Sequence, residues 1–178
     1  MSAAKKPARV RRPGRVIRNP FEVAIAQAQK LTPAGRAHLQ GIVTTAFEDF
    51  RRGARCADAW ATMADALNMA ESLAGLNIAS DHASRTKIDR GQQVLADVCL
   101  RFHERASWTL YPAELTALDE ALFIHRVQLE HCSLGEFDQA ETLTRNRVFQ
   151  ARHGNAPAGA RVIEGAIGQA AVRPSAGA

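Results

Sequence analysis

The stretch PAELTALDEALFIHRVQLEHC, residues 112–132, decides the fold. Leu115, Leu118, Leu122, His125, Leu129 and Cys132 fall at successive spacings of 3, 4, 3, 4 and 3. A heptad-like seam of this kind is one face of an α-helix. Pro112 opens it, at a position where a missing N–H costs nothing. Such a seam closes either inside one chain or between two, so a homo-oligomer is one of the arrangements it allows.

Working outward, the same signals recur. Ser133 and Glu136 match a capping box, which starts a sixth helix at Leu134 running to about His153. Upstream, Ser107-Trp108-Thr109-Leu110-Tyr111 is read as an extended link, because residues before proline avoid the α region. Asn19-Pro20 and Thr32-Pro33 each place a capping residue before proline, predicting helices from Phe21 to Lys30 and from Pro33 to Arg52. A third helix is expected from Ala57 to Ala74, with Trp60, Met63, Ala64, Leu67, Ala70 and Leu73 on one face. A fourth is expected from about Ile78 to Glu104. Its first half is polar and holds Gly91, so it reads as a solvent-facing extension or a separate short helix. No second alternating pattern occurs. The expected architecture is all-α: a single bundle of about six helices over residues 20–154.

Charge divides the chain of 178 residues more sharply than composition does. Residues 1–19 carry Lys5, Lys6, Arg9, Arg11, Arg12, Arg15 and Arg18 and no acid, whereas residues 20–150 hold 13 basic and 17 acidic groups. The expectation is a flexible basic arm on a mildly acidic body, followed by a disordered Ala-, Gly- and Pro-rich tail over 155–178. Apolar runs are a few residues long, far below the roughly 20 that span a bilayer, so no membrane partner is expected. Cys56, Cys99 and Cys132 are odd in number and lie in apolar helical stretches, which predicts reduced thiols and a cytoplasmic protein.

The familiar catalytic and cofactor motifs are absent: no phosphate-binding GxxxxGK[ST], no GxGxxG, HExxH, CxxC or GxSxG. No Glu is followed three residues on by a His, the pairing that di-iron bundles use. Cys99 with His103, and His125 with Cys132, lie one and two helical turns apart. They are soft ligands for zinc if the faces met. Small buried thiols and a satisfied core histidine explain them more simply. Glu114, Asp119 and Glu120 lie near a helix N-terminus, which favours carboxylates without any catalytic role. No catalytic residue, metal or cofactor is therefore assigned, and the expectation is a protein that is not an enzyme. Trp108 and Tyr111 sit in the loop-like link and are the candidates for an exposed contact, against packing over the helix junction.

Several phrases carry a resemblance. They are Asp65-Ala66-Leu67-Asn68-Met69-Ala70-Glu71, Leu76-Asn77-Ile78-Ala79-Ser80-Asp81, Ser107-Trp108-Thr109-Leu110, Gln128-Leu129-Glu130 and Cys132-Ser133-Leu134-Gly135-Glu136. Over about residues 20–158 the chain resembles small helical accessory proteins of proteobacterial prophages and conjugative elements. The resemblance implies a mobile-element role and brings no site residues. The seven cations of the arm then point to nucleic acid, or a nucleoprotein complex, as partner. The alternative is an inhibitor or adaptor acting on a host protein through the helical body.

Overall fold

The computed structural model describes residues 19–155, and these form six helices joined by short turns. They are α1 (Pro20–Ala28), α2 (Pro33–Arg51), α3 (Cys56–Gly75), α4 (His82–Arg105), α5 (Pro112–His131) and α6 (Leu134–Arg152). Among the described residues there is no strand, only an isolated antiparallel bridge between Lys30 and Ser133. The all-α bundle is thus as expected. The arm, apart from Asn19, and the tail beyond Asn155 lie outside the described residues.

The helix starts follow local chemistry. The Asn19 side chain accepts from the Phe21 N–H at 3.1 Å and Thr32 Oγ1 from the Gly35 N–H at 3.1 Å, each ahead of a proline. Ser133 Oγ accepts from the Glu136 N–H at 3.2 Å, and the Glu136 carboxylate accepts from the Ser133 N–H at 2.7 Å, completing the capping box. One start differs from expectation. The fourth helix begins at His82, not Ile78, because Asp81 takes the cap and accepts from the Ser84 N–H at 2.7 Å. Residues 76–81 instead form a turn, with Asn77 at φ 64° and Ala79 at φ 42°. Arg85 reaches back across it and donates to the Ala74 carbonyl at 2.8 Å, closing the open end of α3.

Helix α3 is the axis of the bundle. It packs against α2, α4, α5 and α6, and Met63, Ala64, Leu67, Ala70 and Leu73 are wholly buried. Its many alanines let four neighbours approach. One apolar cluster joins Phe50 of α2 and Trp60 of α3 to Leu95 and Val98 of α4 and Leu118 and Leu122 of α5. A second joins Leu73, Leu129, Cys132 and Ala140. The seam of α5 is buried by its own chain: Leu118, Leu122, His125, Leu129 and Cys132 are all buried, with Leu115 partly so.

Helix α4 is continuous through Gly91, and the glycine has a packing reason. A Cβ built there would stand 2.5 Å from Ala121 Cβ and 3.1 Å from Leu67 Cδ1. The backbone of α4 lies directly on α5 at this point, and no larger residue fits without displacement. Gly91→Ala gains roughly 1 kcal/mol of helix propensity but forces overpacking that costs about 1–3 kcal/mol. A net loss of stability is expected in urea unfolding. Ala121→Gly in the same chain should relieve the clash, so the pair is expected to be coupled. Additive effects of the two substitutions would show that the close approach is not what the glycine serves.

Candidate functional site

Two regions gather polar and aromatic side chains. The first lies between α3, α4 and α6. Helix α6 buries only Ala140, so apolar burial contributes little to holding it. Its inner face is polar instead. Arg147 Nη1 pairs with Glu71 at 2.9 Å, and Arg147 Nη2 donates to the Asn68 carbonyl at 2.9 Å and to Ser72 Oγ at 2.5 Å. Thr144 Oγ1 lies 2.5 Å from Ser72 Oγ. From α4, Gln92 Nε2 donates to the Glu71 carboxylate at 3.0 Å. Buried polar groups must be paired, and here α3 and α6 pair each other's. The cluster has a carboxylate and hydroxyls but no base set to activate a nucleophile. Its chemistry is that of a clamp.

The second region is the end of the bundle where α2 and α4 finish and α3 and α5 begin. Trp108 is half-buried rather than exposed. Its ring stacks on Phe102 at 4.2 Å between centroids, meets Phe50 edge-on at 5.9 Å and lies 6.3 Å from Trp60. Its role is to close the core over the junction. Trp60 completes the cluster by donating its indole N–H to the Leu95 carbonyl at 2.8 Å. Tyr111 does reach solvent, with 54% of its surface exposed, and Arg101 lies over its ring at 4.8 Å. Arg101 forms a two-pronged pair with Glu114, both contacts at 2.7 Å, and donates to the Thr109 carbonyl at 3.0 Å. Glu114 thereby holds the Arg101 pKa above its usual value. The same carboxylate accepts from the Tyr111 N–H at 2.8 Å. Glu114 is thus a cap and an ion-pair partner, a role that its place near a helix start hinted at. Arg101 carried no signal in sequence, because its partner is across a loop.

The seven cationic residues from Lys5 to Arg18 lie outside the described residues. The soft ligands do not converge: Cys99 belongs to the first apolar cluster and Cys132 to the second. Among the described residues no group of three or more His, Cys, Asp or Glu side chains is placed to hold a metal ion. All three cysteines are unpaired, and burial pushes the Cys99 and Cys132 thiols up. No helix among the described residues is long and apolar enough to cross a membrane.

His125 departs from expectation in one respect. It is buried, at 5% exposure, but its Nδ1 is buried without a hydrogen-bond partner, so it is not a fully satisfied core histidine. Burial pulls its pKa down from 6.5 to about 4. Comparison with protein-family models, curated proteins and solved structures finds no match to this chain.

Two outcomes follow from these groups. In the folded chain His125 stays neutral until about pH 4, whereas in the unfolded chain it takes up a proton as pH falls through 6.5. Stability is therefore expected to be full above pH 6.5 and to fall toward pH 4, by up to about 3 kcal/mol. His125→Leu should flatten that fall in urea titrations, and an unchanged slope would remove His125 as its cause. Arg147→Met leaves Glu71 without its ion-pair partner, with only Gln92 still donating to it. The pair is about a quarter exposed, at 25% and 29%. The cost should be about 1–3 kcal/mol, below that of a fully buried pair. Amide exchange should speed across α6 before it does across α3. Uniform acceleration through both helices would contradict the clamp.

Proposed function

We propose that this chain is a non-enzymatic accessory or regulatory protein of a mobile genetic element. It contacts nucleic acid or a nucleoprotein complex through its basic N-terminal arm, and the bundle supplies partner specificity. The observation that carries this reading is the partition of charge. Lys5, Lys6, Arg9, Arg11, Arg12, Arg15 and Arg18 stand together without an acid, while residues 19–155 hold 14 basic and 17 acidic groups. Half of those 14 are already in ion pairs: Arg51 and Arg52 with Glu48, Arg55 with Asp58, Lys87 with Glu120, Arg101 with Glu114, Arg145 with Glu141 and Arg147 with Glu71. Phosphate binding by counterion release needs unmatched cations, and the arm is where they are concentrated. The resemblance to prophage and conjugative-element proteins supports the genetic setting.

A second reading, an adaptor or inhibitor that docks on a host protein, is favoured by a separate observation. No residue of α1 is buried, and Phe21 and Ile25 are 70% and 51% exposed. On α6, against which α1 packs, Leu143 and Phe149 are exposed as well. Exposed apolar side chains on neighbouring helices are a recognised mark of interaction surfaces.

Fluorescence anisotropy with generic DNA and RNA across a salt series tests the first reading. The full chain is compared with one lacking residues 1–18, which keeps the Asn19 cap of α1. Binding by the full chain should weaken steeply with salt, with a log–log slope approaching about −6 if all seven cations engage phosphates. Removal of the arm should abolish it. Equal affinity of the two chains, or no binding by either, overturns the reading and leaves the adaptor to be pursued by partner capture.

A further inference from the structure

The loop between α4 and α5 presents a backbone edge. Residues 107–111 are not helical. From Trp108 to Tyr111 the backbone polar groups are bonded at every second residue, while those of Ser107 are also unbonded. The Thr109 N–H donates to Ser107 Oγ at 3.3 Å, and the Thr109 carbonyl accepts from Arg101 at 3.0 Å. The Tyr111 N–H goes to Glu114, and the Tyr111 carbonyl accepts from the first turn of α5. Between them, the N–H and C=O groups of Trp108 and Leu110 form no hydrogen bond with any described residue. Bonded and open residues alternating over these four positions is the pattern of a strand at the edge of a sheet. Here no sheet lies beside it.

What does lie beside it is a groove of about 570 Å³ running between this segment and the turn joining α2 to α3. Phe50, Cys56, Trp108, Leu110 and Leu115 contribute its apolar surface, and Arg51 and Arg52 stand on its far side. Both arginines are well exposed and share one carboxylate, Glu48, at 2.7 and 3.5 Å, so one positive charge is unmatched there. The walls are held by tight turns. Gly53 (φ 73°) and Arg55 (φ 45°) shape one side and Ala106 (φ 53°) the other. Ala106 is the left-handed C-cap of α4 and Arg55 the N-cap of α3, so both walls are fixed by helix ends.

We propose that this groove binds an extended acidic peptide segment of a partner protein. The peptide backbone pairs with Trp108 and Leu110 as an added strand, an apolar side chain sits over Cys56 and Leu115, and its carboxylates meet Arg51 and Arg52. Strand addition draws affinity from main-chain bonds and specificity from alternate side chains. Single-stranded nucleic acid fits less well. It would need an aromatic face for its bases, and Trp108 is already packed among Phe50, Trp60 and Phe102. The inference is independent of the arm, and removal of residues 1–18 should leave this binding unchanged.

The test is a selection from randomised nine-residue peptides on the full chain, followed by titration of the enriched peptides into ¹⁵N-labelled protein. Enriched peptides should carry Asp or Glu at alternate positions and shift the amide resonances of Trp108 and Leu110. The Arg51→Glu, Arg52→Glu double variant should bind them at least tenfold more weakly while keeping its remaining amide pattern. Arg51→Ala with Arg52→Ala serves if the charge reversal perturbs the fold, and should also weaken binding. Absence of enrichment, shifts confined to other surfaces, or equal binding by the variants would overturn the proposal. So would an oligothymidine that moves the Trp108 and Leu110 resonances where the peptides do not.

Discussion

The contact of α4 with α5 at Gly91 governs how the rest of the molecule assembles. With Ala121 and Leu67 already within reach of where a Cβ would stand, three helices meet there at minimum separation. This spacing brings Ile88, Leu95 and Val98 of α4 and Leu118 and Leu122 of α5 into the interior shared with α3. It also brings Gln92, one residue on, to the flank of α3 beside Glu71. Interiors packed at crystal-like density transmit such a constraint. A wider crossing would separate the apolar cluster and the polar clamp together.

Around that core, α3 imposes a second requirement. A helix flanked by four others keeps only a narrow solvent-facing side, where Asp58 and Asp65 lie, so polar groups elsewhere on it must be paired inside. Asn68, Ser72 and Gln92 are buried at this centre, and Gln128 bridges from α5 to the Ala70 and Ile78 carbonyls at 3.0 and 3.2 Å. Arg147 and Thr144 bring α6 into the same network. The outer layer of α1 and α6 is thus attached differently from the inner helices. Hydrogen bonds, one ion pair and the apolar contacts of Ala140 and Phe137 hold α6, while α1 is tied to the turn before α6 by the Leu134 N–H to Gln29 carbonyl bond at 2.7 Å and by a bond from Lys30 to the His131 carbonyl. Polar attachment of this kind leaves apolar side chains such as Phe21, Ile25 and Phe149 outward.

Function, on this reading, is divided by location. The arm supplies unmatched positive charge, the α1–α6 layer supplies exposed apolar surface, and the loop end between α4 and α5 supplies a groove beside unbonded backbone groups. None of these needs a reactive side chain. Under the proposals made for the arm and the groove, each would act by contact.

Much of the fold was legible in sequence because helix periodicity and capping are local. The seam from Leu115 to Cys132, the prolines after Asn19 and Thr32, and the Ser133–Glu136 box all act within a few residues of themselves, so spacing alone identifies them. The polar first half of α4 misled for the same reason. Gly91 weakens a helix when judged locally, and only a neighbouring helix explains it. Ile78 continues the apolar pattern, but the Asp81 cap sets the start of α4. The candidate site was less legible. Trp108 was recognisable as an aromatic in a loop, but whether it faced solvent or the core depended on Phe50 and Phe102, far apart in the chain. The partners of Arg101 and Arg147 lie 13 and 76 residues away, and so does the register of the loop edge at Trp108 and Leu110 depend on what Arg101 and Glu114 bind. The sequence by itself determined the helices and the separation of charge, since both depend on neighbours in the chain. The tertiary structure alone decided which polar groups are paired, which are left open and where a groove forms, because those depend on side chains that meet only after the helices have packed.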